Sequence, residues 1–130
     1  MKIVIAPQAF KGSVSALEVA QAMEEGVQRV IANVETILVP VADGGDGTLE
    51  TLVEASNGKI HTSTVTGPLG RPVTASWGAM GDGNTAIIEM ARTSGLALIP
   101  IQKRDPMITT TYGLGEVIKQ ALDDGFRNYI

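Results

Sequence analysis

The chain contains no cysteine, which excludes disulfides, thiolate metal sites and a cysteine nucleophile. Histidine occurs once, at His61, so a Ser-His-Asp triad would have to recruit that single ring. His61 falls in a strand-like stretch that suits a partly exposed structural residue. Aromatic residues make up 4% of the chain (Phe10, Trp77, Tyr112, Phe126 and Tyr129), and 10 basic residues face 14 acidic ones, for a net charge of −4. That composition supplies neither the basic field nor the stacking surface that nucleic acid requires. No apolar run approaches the roughly 18 residues of a membrane span, and Lys2 enters a strand with no signal-peptide core before it. A soluble, cytoplasmic protein is expected.

What is present suits a folded domain. The 130 residues are 44% apolar and 18% charged, enough to bury a real core. The 15 glycines fall at turn positions rather than in a repeat, so loops matter.

Residues 2–6 are a short apolar run closed by Pro7, as expected of a strand buried on both faces. Ser15 and Glu18 form an S-x-x-E capping box, and Ala16, Ala20, Met23, Val27, Val30 and Ile31 recur at helical spacing, predicting a helix to about Ala32. Ile37 to Val41 reads as a second buried strand, and Thr48 to Ala55 as a helix stopped by Asn57-Gly58. Two strand–loop–helix units imply a parallel α/β sheet, whose ligands lie beyond the carboxyl ends of the strands. Loops 7–13 and 43–47 should therefore open on the same side.

The character changes after Lys59. Residues 60–66, 73–79 and 85–90 read as strands, the last two antiparallel across Gly81-Asp-Gly-Asn84. Residues 91–94 suggest a helical turn, and Leu114 to Asp124 a helix with Val117, Ile118, Ala121 and Leu122 on one face. Phe126 to Ile130 looks like the opening of another strand. The fold class is thus α/β, with parallel βα units first and a partly antiparallel segment after. An N-terminal lobe portion is expected over residues 1–58, and a second sublayer or lobe, apparently truncated, over 59–130.

The most informative stretch is Pro40-Val-Ala-Asp-Gly-Gly-Asp-Gly-Thr48. Three glycines and two carboxylates sit between an apolar run and a helix-like run, where backbone N–H groups can approach an anion. Asp43 and Asp46 would repel a bare anion, so they suit a Mg²⁺-bridged phosphate or a polyhydroxylated substrate. The same residues also make an ordinary tight βα turn. The common fingerprints are absent: there is no Walker A, no G-x-G-x-x-G, and Gly45 occupies the third position an EF-hand needs for a ligand.

Six segments, in order, resemble the type I glycerate kinases. They are Lys2-Ile-Val-Ile-Ala-Pro7, Phe10-Lys-Gly-Ser13 with Ser15-Ala-Leu-Glu-Val-Ala20, and Pro40 to Thr48. Then come Gly67-Pro-Leu-Gly-Arg-Pro-Val73, Ala86-Ile-Ile-Glu-Met-Ala91 with Ser94-Gly-Leu-Ala-Leu98, and Arg104-Asp-Pro106 leading to Thr110-Thr-Tyr-Gly113. The resemblance implies a two-lobed α/β kinase that uses ATP and Mg²⁺ to phosphorylate a hydroxyl of D-glycerate, with 2-phosphoglycerate expected. Two departures stand out. The family usually has Asp-Ser after the first Pro, where this chain has Gln8-Ala9, and an amide cannot accept a proton near neutral pH. Family members also continue past the position of Ile130 into a Gly-Gly-Ser-Ala-Thr-Asn-Asp-Gly type segment. The chain is therefore expected to be the N-terminal portion of a kinase, inactive without the remainder.

Phosphoryl transfer needs cations, metal-holding carboxylates and backbone donors. With the resemblance, Lys11 is assigned to phosphates or the glycerate carboxylate, and Asp43 and Asp46 to Mg²⁺ or a substrate hydroxyl. Gly44, Gly45 and Gly47 allow close approach, and Ser13 joins the first loop as a substrate or phosphate contact. Arg71 is a candidate carboxylate clamp. Glu89 is a carboxylate in an apolar strand, and such a group is paired or functional when buried. Thr110, Thr111 and Gly113 are candidate helix-start donors to phosphate. The competing structural readings are a solvated lysine, an exposed turn arginine and ordinary N-capping. The competing functions are a non-catalytic small-molecule-binding α/β module, a Mg²⁺-dependent phosphatase or another sugar-acid kinase.

Overall fold

The computed structural model describes residues 1–10 and 13–130. The chain divides into two compact units, Met1–Thr51 and Leu52–Ile130. Among the described residues no helix is long and apolar enough to cross a membrane.

In the first unit, β1 (Lys2–Ile5) pairs in parallel with β2 (Glu35–Leu38), and α1 (Ala16–Val30) makes the crossover between them. The capping box forms as the sequence predicts: Glu18 N–H donates to Ser15 Oγ at 3.2 Å, and Ser15 N–H to Glu18 Oε2 at 2.9 Å. The hydroxyl of Ser15 donates to the same carboxylate, and this bond, followed by that of the Ser15 N–H, holds Glu18 below the usual carboxylate range. The expectation that both strands are buried on two faces does not hold. Thr36 bonds Gln28 and Glu24 of α1, which fixes the covered face of the sheet. Val4 and its cross-strand partner Ile37 point the other way, and Val4 is 59% exposed. Among the described residues one helix layer covers one face, so the apolar run here is buried on one side. β2 also starts and stops earlier than predicted, ending before Pro40.

Helix α2 (Thr48–Ala55) carries the chain from the first unit into the second. There β3 (Lys59–Thr66), β4 (Pro72–Ala79), β5 (Thr85–Ile87) and β6 (Asn128–Tyr129) form one sheet in that order. The first two pairings are antiparallel and the last is parallel. α3 (Met90–Ser94) and α4 (Tyr112–Asp123) lie between β5 and β6 in the chain. The predicted hairpin, the long C-terminal helix and the closing strand are all present. Residues 96–103 include two short 3-10 turns, Leu96–Leu98 and Ile101–Lys103.

Val65, Ala75, Trp77, Ala86, Val117 and Ala121 make the core of this unit. The Trp77 indole is 1% exposed, meets Phe126 edge-on and donates its N–H to Ser63 Oγ at 3.1 Å. His61 stacks on the same indole at 4.5 Å, a structural use of the lone histidine. On α4 the buried row is Gly113, Val117 and Ala121. Ile118 and Leu122, expected on the same face, are exposed.

Candidate functional site

Because β1 and β2 are parallel, the loops that follow them leave the same edge of the sheet. Pairing continues past the strands: Val39 N–H donates to Ile5 C=O at 2.8 Å, and Val41 N–H to Pro7 C=O at 3.0 Å. This zipper brings Gln8 and Ala9 beside Asp43 and Asp46, and all four line one pocket of about 60 Å³ with Gly47 and Thr51. The sequence placed these two loops together, and the structure does the same.

The carboxylate loop is shaped from within. Gly44 and Gly47 have φ of +88° and +92°, a region L side chains avoid. Gly45 N–H donates to Asp43 Oδ1 at 2.9 Å, and Gly44 N–H to Thr48 Oγ1 at 3.0 Å. Thr51 Oγ1 donates to Gly47 C=O at 2.9 Å, tying the loop to the first turn of α2. Two of the backbone donors that could have met an anion are therefore engaged inside the loop. What the loop presents to solvent is the pair of exposed carboxylates, Asp43 and Asp46.

Such a surface attracts a cation and repels a bare anion. The pocket has room for an ion or water and not for an organic molecule. Among the described residues no cluster of three or more His, Cys, Asp or Glu forms a metal cage. Mg²⁺ does not need one: it binds through one or two carboxylates together with water and substrate phosphates. Asp43 and Asp46 fit that donor set.

The remaining candidates lie elsewhere or have other partners. Lys11 lies outside the described residues. Ser13 is exposed, and its N–H donates to Phe10 C=O at 2.9 Å. In the second unit, Arg71 is exposed in the β3–β4 turn, closed by Gly67 N–H donating to Arg71 C=O at 2.8 Å. Glu89 lies beyond β5 rather than inside it, at the start of α3. Its side chain is 1% exposed and accepts a hydrogen bond from Arg92 Nε at 3.1 Å, so the buried carboxylate is paired. Thr110 N–H donates to Pro68 C=O at 3.0 Å, which ties the approach to α4 to the Arg71 turn. Thr110 Oγ1 accepts from Tyr112 N–H at 3.1 Å, and Thr111 holds the N-cap position without a side-chain bond. Gly113 packs so tightly that a Cβ there would sit 2.1 Å from Thr66 C=O, a steric demand separate from any ligand.

Against known proteins, the sequence matches the model of the Glycerate kinase family over residues 3–130. The chain belongs to the glycerate kinase family. It is 56% identical over 130 residues to the glycerate kinase of Bacillus subtilis, and 55% identical to the glycerate 2-kinase of Escherichia coli. Each alignment covers 100% of this chain and 34% of the relative. A crystal structure of a protein provisionally named glycerate kinase 2, from Salmonella typhimurium LT2, superposes with a TM-score of 0.79 at 50% identity. It covers 99% of this chain and 34% of that one. The chain thus spans about a third of the length of the relatives it matches. The α/β class and the family resemblance stand.

Within this family fold, sequence reasoning missed two contributors. Thr48 orients the carboxylate loop through Gly44, although only a hydroxyl at a helix start marked it in the sequence. Lys103 faces a large pocket that also holds Arg71, and in the sequence it was one of several charges in a turn.

Proposed function

We propose that the full-length protein is an ATP- and Mg²⁺-dependent glycerate kinase that phosphorylates a hydroxyl of D-glycerate, giving 2-phosphoglycerate. Family membership over residues 3–130 carries this reading, and the paired-carboxylate loop at the sheet edge supports it. Asp43 and Asp46 hold Mg²⁺ there, and when bound the ion neutralises charge on the phosphates. Gln8 shares the pocket and can only orient a ligand, since its amide accepts no proton near neutral pH. Lys11 is the cation assigned to phosphate or carboxylate in this reading, with Ser13 beside it in sequence. A cytoplasmic location, with neither nucleic acid nor membrane as a partner, goes with it.

The test is turnover of the full-length protein with ATP, Mg²⁺ and D-glycerate, with the product isomer resolved by phosphorus NMR. ADP and 2-phosphoglycerate are expected in equal amounts. ATP-independent release of phosphate from a phosphorylated acid would replace the kinase reading with a phosphatase.

A further inference from the structure

The loop of the first unit offers carboxylates, whereas a phosphoryl transfer between two anionic reactants also requires cations. The second unit has a pocket of about 480 Å³, within the roughly 300–1,000 Å³ typical of small-molecule sites. Among the described residues, Arg71 and Lys103 are its charged lining residues and none of the lining is acidic. Leu69, Val73, Leu98 and Pro100 provide apolar wall.

The two cations are available to a ligand in a way their neighbours are not. Neither makes a side-chain hydrogen bond or ion pair with another described residue. Arg104, next in sequence, is committed to the fold: its Nε donates to Ile99 C=O at 3.2 Å and its Nη2 to Leu96 C=O at 3.1 Å. Those bonds brace the 3-10 turns that present Lys103, whose own N–H donates to Pro100 C=O at 2.8 Å. The Arg71 side is braced too, by the Gly67–Arg71 bond and by Thr110 on Pro68. Two braced turns therefore hold two cations, unpaired among the described residues, at a cavity with apolar wall.

We infer that the Arg71–Lys103 pocket binds an oxyanion of a small organic reactant, a carboxylate or a phosphate, with its carbon skeleton against Leu69, Val73 and Leu98. Arg71 offers the planar fork that matches either anion, and Lys103 a point charge. The identity of the ligand rests on the kinase reading; the existence of the site does not.

The experiment is calorimetric titration of the full-length protein with three separate probes: D-glycerate, ATP and inorganic phosphate. Arg71→Ala, Lys103→Ala and the control Lys119→Ala are compared with the unchanged protein. Lys119 is an exposed lysine paired with Asp123 on α4, so its removal matches the charge change without touching the pocket. Each pocket variant should bind at least one probe about tenfold more weakly, with a shallower salt dependence, while Lys119→Ala binds normally. Loss confined to D-glycerate makes the pocket a carboxylate clamp, and loss confined to ATP or phosphate makes it a phosphate site. Unchanged affinity for all three probes in both variants, with unfolding midpoints intact, overturns the pocket. A protein whose binding depends on Arg71 and Lys103 but which makes no phosphoglycerate retains the pocket and loses the kinase reading.

Discussion

In the unit Leu52–Ile130 an indole is buried to 1% exposure, wedged between a four-stranded sheet and α4, with Phe126 against its edge. In Met1–Thr51 the sheet has two strands, one helix covers one face, and Val4 and Ile37 stay exposed on the other. The first arrangement removes the Trp77 cluster of its sheet from water. The second leaves apolar surface bare while its loops build the acidic pocket. The two units therefore should respond to different perturbations. Substitutions in the core of the second should act on folding, and substitutions in the first unit's loops on the acidic pocket.

The comparison is sharpened most by core truncation. Trp77→Ala should destabilise the second unit by about 3–5 kcal/mol in chemical unfolding, through lost burial and a residual cavity. Val4→Ala in the first unit should change stability by less than about 0.5 kcal/mol, because that side chain is already largely in water. Equal losses would mean the bare face is covered in the full-length protein, and the contrast would vanish.

Next in size is the loop backbone. Gly47→Ala forces a Cβ onto a residue with φ of +92°, at a cost of about 1–2 kcal/mol. Its Cβ would meet only Ala9 Cβ at an ordinary 3.8 Å, so the penalty is conformational rather than steric. Relaxation of the loop should lower affinity for Mg²⁺ as well, measured by titration monitored by NMR.

The smallest effect is a pH response that the two units share. The Thr85 hydroxyl, then the N–H groups of Asn84 and Thr85, hold Asp82 in the second unit below its ordinary value of 3.8. Glu18 in the first unit is held below 4.5 by Ser15. A depressed carboxylate contributes stability that is fully present above its unfolded pKa and is lost as pH falls through the lower folded value. Stability should thus be flat, on this account, from about pH 7 to about pH 5 and decline below about pH 4. Thr85→Val and Ser15→Ala should each flatten part of that decline in unfolding midpoints recorded against pH.

The sequence was legible where local chemistry decided the outcome. The Ser15–Glu18 box, the glycine stops, the hairpin across Gly81–Asn84 and the 48–55 helix all rest on turn and cap residues that act within a few positions. Parallel pairing of β1 and β2 then followed from the strand–helix–strand order, and with it the meeting of the Gln8 and Asp43 loops. Burial was less legible, because Val4 and Ile37 carry the same apolar pattern whether or not a second layer covers them. The internal bonding of Gly44 and Gly45 was not readable either, since it depends on the Thr48 and Asp43 side chains turning inward. Lys103 became visible only once the 3-10 turns brought it to the pocket shared with Arg71, residues far apart in sequence.

The most direct measurement is on Asp46→Asn in the full-length protein: turnover of ATP with D-glycerate, read beside the thermal unfolding midpoint. Asp46 is exposed and lines the acidic pocket, so losing its charge should lower turnover about a hundredfold or more while the midpoint stays nearly fixed. Turnover equal to that of the unchanged protein, with folding intact, would contradict the assignment of the chemistry to the 43–47 loop.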